Sequence, residues 1–122
     1  MIRSFKDLIA WQKSMELVTA IYRVTRTFPK DETYGLTSQI RRAAISVPSN
    51  IAEGQARLTK GEFLHSLGQS RGSLAEVETQ LTVALNLDYV HADLARPLVG
   101  QIAETGRVIN GLIASLRRRS DN

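Results

Sequence analysis

The sequence predicts an all-α fold, an up-down-up-down antiparallel four-helix bundle. Three observations carry this prediction. Four amphipathic stretches repeat apolar residues at three- and four-residue spacing, short polar connections separate them, and no stretch reads as a credible strand. Short connections make successive helices antiparallel neighbours. With 122 residues, the chain has the size of one domain able to bury a core without staples. Residues 1–122 therefore read as one bundle domain with helices over about 4–27, 34–55, 60–87 and 91–118.

The first helix is expected to start at Ser4, a capping residue followed three positions later by Asp7. Its apolar face reads Leu8, Trp11, Met15, Val18 and Tyr22, broadened by Ile21, Val24 and Phe28, and Pro29 ends it. The second carries Leu36, Ile40, Ala43, Ala44, Val47 and Ile51, with Gly54 as a terminator. Pro48 interrupts this run, so either one kinked helix or two shorter ones result. The spacing 40, 44, 47, 51 continues past the proline and favours one Pro-kinked helix.

Thr59 and Glu62 form a capping box ahead of the third helix. Phe63, Leu67, Ser70, Leu74, Val77, Leu81 and Ala84 then alternate four and three. Gly68 and Gly72 lower helix propensity, so they mark either a close backbone approach or simple tolerance. The fourth helix repeats the pattern at Leu94, Leu98, Ile102, Thr105, Ile109, Leu112 and Leu116, and Pro97 allows a start nearer Arg96. Apolar residues continue outside these stripes at Ile9, Leu17, Leu64, Leu85 and Leu87, an excess that points to self-association.

Cysteine is absent, which removes disulfides and thiolate chemistry and agrees with a cytoplasmic location. No apolar run is long enough to span a membrane, and no secretory leader is visible. The net charge of +4 is uneven: residues 1–60 hold ten basic and five acidic groups, the remainder six and seven. An anionic partner is compatible with this balance. Arg23, Arg26, Arg57, Lys60 and the run Arg117, Arg118, Arg119 are the candidate contacts for RNA or DNA. They are not interleaved with aromatics, so any such binding would be weakly sequence-specific and salt-sensitive.

Catalytic chemistry has little to stand on. A bundle di-metal site needs two Glu-x-x-His pairs, and Glu62–His65 is the single match beside His91. No nucleophile elbow or phosphate-binding glycine loop occurs. The chain reads as a non-enzyme with no catalytic residue, metal or cofactor. Its densest polar stretch is residues 39–57, where Arg41, Arg42, Ser46, Asn50, Glu53 and Arg57 share one helix. Arginine's fixed donor fork suits partly buried pairing with carboxylate or phosphate. The stripe is an inter-helix or inter-subunit network through Glu53, Glu76 or Glu78, an anion-binding surface, or solvated surface.

The segments FKDLIAWQKSMELV, FPKDETYGLTSQIRRAAISVPSNIAEGQAR and EFLHSLGQSRGSLAEVETQL together resemble the helical-bundle family linked to intervening sequences in bacterial 23S rRNA genes. Trp11, Phe28-Pro29, Glu32, Tyr34-Gly35-Leu36, Gln39, Arg41-Arg42, Ser46, Asn50-Ile51, Glu53-Gly54 and Arg57 carry the likeness. The resemblance implies assembly as a homopentamer and no assigned catalytic role. A related branch, the accessory proteins of diversity-generating retroelements, implies a reverse transcriptase and nucleic acid as partners.

Overall fold

The computed structural model describes residues 4–119. Four α-helices account for most of them: α1 (Ile9–Thr25), α2 (Leu36–Ala56), α3 (Lys60–Asn86) and α4 (Ala92–Arg118). Short 3-10 turns cover Phe5–Asp7 and Lys30–Glu32. Each helix packs on its sequence neighbours and α4 closes back on α1, while the backbones of the diagonal pairs stay further apart. The cross-section is thus a square with α1 opposite α3 and α2 opposite α4. One end holds the start of α1, the α2–α3 turn and the end of α4. The other holds the α1–α2 and α3–α4 connections.

The helix ends follow local chemistry. Ser4 Oγ accepts from Lys6 N and the Asp7 carboxylate accepts from Ser4 N. This capping box closes only the Phe5–Asp7 turn, because Leu8 is extended and α1 begins at Ile9. Thr59 Oγ1 accepts from Glu62 N at 3.1 Å, as the capping pattern predicts. The fourth helix starts at Ala92, not near Arg96, with His91 Nδ1 accepting from Asp93 N. Pro97 is tolerated there because it and Asp93, whose carbonyl loses a donor, are both exposed to water. Pro48 lies inside the single helix α2 and does not divide it.

The core corrects the reading of α1. Its inward face is Ala10, Ser14, Leu17 and Ile21, all buried. Met15, placed on the apolar face by its helical spacing, is 39% exposed, whereas Leu17, read as surplus surface, is fully buried. Two apolar stripes run along α1, and the one with small residues packs inward because it lets the helices approach. Ser14 costs little there, since its hydroxyl donates to the Ala10 carbonyl at 2.6 Å. In α4, Ala95 is likewise buried while Leu94 stays exposed. The α3 stripe from Leu67 to Ala84 is buried as expected, with Phe63 packed against its edge.

The most extensive contact joins α2 and α3. Gly54 is no terminator: α2 continues to Ala56, and a Cβ on Gly54 would sit 2.6 Å from Ser66 Cβ. Buried Ser66, Ser70 and Ser73 face this seam from α3, and Ser70 Oγ donates to the Val47 carbonyl at 2.7 Å. Gly68 and Gly72 do not mark a close approach, because a Cβ on either meets nothing within 4 Å.

Opposite effects are therefore expected at two glycines in urea titrations. Gly54→Ala should destabilise by about 1–3 kcal/mol through overpacking. Gly68→Ala should stabilise by about 0.5–1 kcal/mol through helix propensity.

Candidate functional site

The α2 polar stripe divides into inward and outward parts. Arg41 turns toward α1: its Nε donates to Thr25 Oγ1 at 2.8 Å and its Nη2 to the Tyr22 carbonyl at 3.3 Å. The guanidinium also lies 4.5 Å above the Tyr22 ring. This places a cation at the carbonyl end of α1, where the helix dipole favours it. Arg42, one residue on, is exposed and reaches no carboxylate within 4 Å among the described residues. Ser46 Oγ donates to the Arg42 carbonyl and Asn50 Nδ2 to the Ser46 carbonyl, so both bond back onto their own helix one turn earlier. Glu53 and Arg57 form an exposed pair at 3.6 Å within one turn, of little energetic consequence.

Tyr34, Ser38, Gln39, Arg42, Glu76 and Gln80 line a shallow cleft of about 390 Å³ along α2 and α3. Gln80 Oε1 is buried beside it without a hydrogen-bond partner. The two connections at this end of the bundle are tied by Glu32. One carboxylate oxygen accepts from Leu36 N at 3.1 Å and the other from the Tyr89 hydroxyl at 2.8 Å. The Leu36 amide, then the Tyr89 hydroxyl, hold the Glu32 carboxyl below the usual carboxylate range. The same carboxylate pushes the Tyr89 phenol up. Glu32 has a local signal, an acid just ahead of a helix that lacks a capping side chain. Tyr89 has none, because its partner is distant in sequence.

The basic residues do not form one patch. Arg57 and Lys60 flank the α2–α3 turn, and Lys60 Nζ donates to the Arg119 carbonyl at 2.9 Å. Arg57, Lys60 and Arg117–Arg119 therefore share one end of the bundle. Arg23 and Arg26 sit at the far end of α1, about 25 Å away along the helix rise. His65 and His91 are likewise near the starts of α3 and α4, at opposite ends. Among the described residues no group of three His, Asp or Glu side chains could hold a metal ion, and no helix is long and apolar enough to cross a membrane.

Two seams leave apolar surface outside the core. Trp11, Met15 and Val18 of α1 meet Ile45, Pro48 and Ala52 of α2 around a depression of about 290 Å³. On the opposite side of the square, α3 and α4 flank a cleft of about 500 Å³, floored by the buried core residues Leu74, Leu81 and Ile102, with Val99 exposed on its α4 side.

Helix count and the order in which the helices pack define the class: an all-α four-helix bundle. The sequence model of the 23S rRNA-intervening sequence proteins matches residues 6–111, and the chain belongs to that family. Among solved structures, it is similar to a protein of unknown function from the S23 ribosomal protein family of Bacteroides thetaiotaomicron. The TM-score is 0.79 at 18% identity, over 86% of this chain and 98% of that one. This likeness supports the same fold. No curated protein matches the chain.

Two variants separate latch from surface. Arg41→Ala should lose about 1–3 kcal/mol of stability in urea titrations, through the lost charged hydrogen bonds and ring contact. Arg42→Ala, measured on the single chain, should stay within about 0.5 kcal/mol of wild type. The Glu32 contribution is present above the carboxyl's unfolded pKa and is lost as pH falls through its lowered folded value. Urea midpoints should therefore drop more between pH 6 and pH 3 for wild type than for Glu32→Gln; equal slopes contradict this.

Proposed function

We propose that this protein is a non-enzymatic, homo-oligomeric scaffold whose outer helix faces bind further copies of itself. The observation that carries this reading is the α1–α2 seam. Met15 and Ile45 are 39% and 42% exposed, beside half-buried Trp11 and Val18. Fully burying one large aliphatic side chain contributes about 1.5–3 kcal/mol, so covering this seam favours association. The family resemblance makes a pentamer the expected assembly. The outward side of the α2 stripe, Arg42 above all, belongs to the interface in this reading. A single domain over 1–122, a bend in α2 at Pro48 and a cytoplasmic location go with it.

Light scattering tests the proposal directly. A mass several times 13.5 kDa is expected at micromolar concentration. A single-chain mass throughout that range contradicts it.

A second reading has its own support. Gathering Arg57, Lys60 and Arg117–Arg119 at one end of the bundle favours an accessory protein that holds an RNA or DNA backbone there, alone or beside a protein partner such as a reverse transcriptase. Arg23 and Arg26 would then contact a separate stretch of nucleic acid. In filter binding with structured RNA, affinity should fall steeply with salt. Replacing Arg117, Arg118 and Arg119 by Gln should weaken it roughly tenfold or more. Absence of binding at low salt removes this reading.

A further inference from the structure

Unlike the α1–α2 seam, the α3–α4 cleft combines charged and apolar groups, and they are sorted along its length. The short side chains of Ala75 and Ala103 on its outer walls leave a space of about 500 Å³ above the core, within the size range of small-molecule sites. Buried Leu74, Leu81 and Ile102 form the floor. Arg71 of α3 and Arg107 of α4 stand toward one end, with Asn110 beside them, and Leu85 and Val99 line the other end.

The two guanidiniums meet at one level. Arg71 lies 11 residues after Lys60, where α3 starts, and Arg107 lies 11 residues before Arg118, where α4 ends. Those helix ends are level, because Lys60 Nζ donates to the Arg119 carbonyl. At about 1.5 Å per residue, both arginines stand about 17 Å up the bundle. The approach of α4 to Leu74 gives the same register, since a Cβ on Gly106 would lie 3.4 Å from Leu74 Cδ2. Both arginines are exposed, and neither reaches a carboxylate within 4 Å among the described residues. Two cations on facing walls over an apolar floor focus a positive potential into the cleft. An anion between them relieves their repulsion and can accept forked hydrogen bonds from each.

The remainder of the cleft decides what that anion carries. Glu78 is exposed on the α3 rim, seven residues beyond Arg71 and about 10 Å further along. It repels a second anionic group there and keeps a negative head at the arginine end. Beyond it, exposed Val99 and half-buried Leu85 offer apolar surface to cover, at about 25 cal/mol per Å² removed from water. From Arg71 to Leu85 the groove extends about 21 Å along α3, which suits an extended chain.

We propose that the α3–α4 cleft binds an alkyl carboxylate, its head held between Arg71 and Arg107 and its chain lying over Leu74, Ile102 and Val99. The site lies on the side of the square away from the α1–α2 seam and uses none of the cations assigned above to nucleic acid. It is therefore separate from both functional readings.

Isothermal titration calorimetry of the full chain with dodecanoate, kept below its micelle concentration, tests this site. One-to-one binding is expected, with acetate much weaker and dodecyltrimethylammonium, the same tail on a cation, not bound. Arg71→Gln and Arg107→Gln should each weaken dodecanoate binding about tenfold or more, with the helical circular dichroism unchanged because both positions are exposed. Ala103→Trp, also at an exposed position on the cleft wall, should abolish binding by filling the space. Absence of dodecanoate binding to the wild type overturns the inference. Equal binding of dodecyltrimethylammonium overturns it too, as does binding that either arginine substitution or Ala103→Trp leaves unchanged. Acetate binding as tightly as dodecanoate overturns the assignment of the chain to the apolar end.

Discussion

The close approach of α2 and α3 sets the shape of everything else. Gly54 has no room for a Cβ against Ser66, and three buried serines line the facing side of α3. Small residues make this edge of the square tight. The edge between α3 and α4 is looser, and a cleft of about 500 Å³ remains there. Helix α1 must then choose which stripe to turn inward. It turns the one with Ala10 and Ser14 and leaves Trp11, Met15 and Val18 along the outside of α2. The unpartnered seams follow from the packing of the core.

Polar side chains mostly hold this arrangement in place. Arg41 binds the carbonyl end of α1, Glu32 binds both the start of α2 and Tyr89, and Ser70 bonds into α2. Each satisfies a group that the packing would otherwise strand. Lys13 and Glu104 add an ion pair between α1 and α4 at 3.2 Å, partly exposed and energetically modest. Arg42 stands out because it lies beside these latches in sequence and takes part in none of them. A side chain with strong donor geometry and no carboxylate partner among the described residues is a natural contact for another molecule.

The fold was legible where bulky residues coincide with helical spacing. In α3, the Thr59 cap and the stripe from Leu67 to Ala84 were enough to place the helix and its buried face. Legibility failed where size and burial part company: Met15 outranks Ser14 in any hydrophobic pattern, yet Ser14 is inside. The glycines failed for a related reason. Whether Gly54 or Gly68 meets a neighbour depends on which side of its helix faces the bundle, and spacing within one helix does not reveal that. Of the candidate site, the grouping of Arg57, Lys60 and Arg117–Arg119 follows from up-and-down topology alone. The different directions of Arg41 and Arg42 follow from their 100° separation around α2, but only once the position of α1 is known.

If the outer seams are self-association surfaces, Met15 must be solvent-accessible in the single chain and covered in the assembly. The rate of Met15 oxidation by dilute peroxide, followed by peptide mass spectrometry across protein concentrations, reads this directly. Covering the seam predicts a rate that falls several-fold as concentration rises through the association range. A rate independent of concentration, in protein that light scattering shows to be assembled, would contradict it.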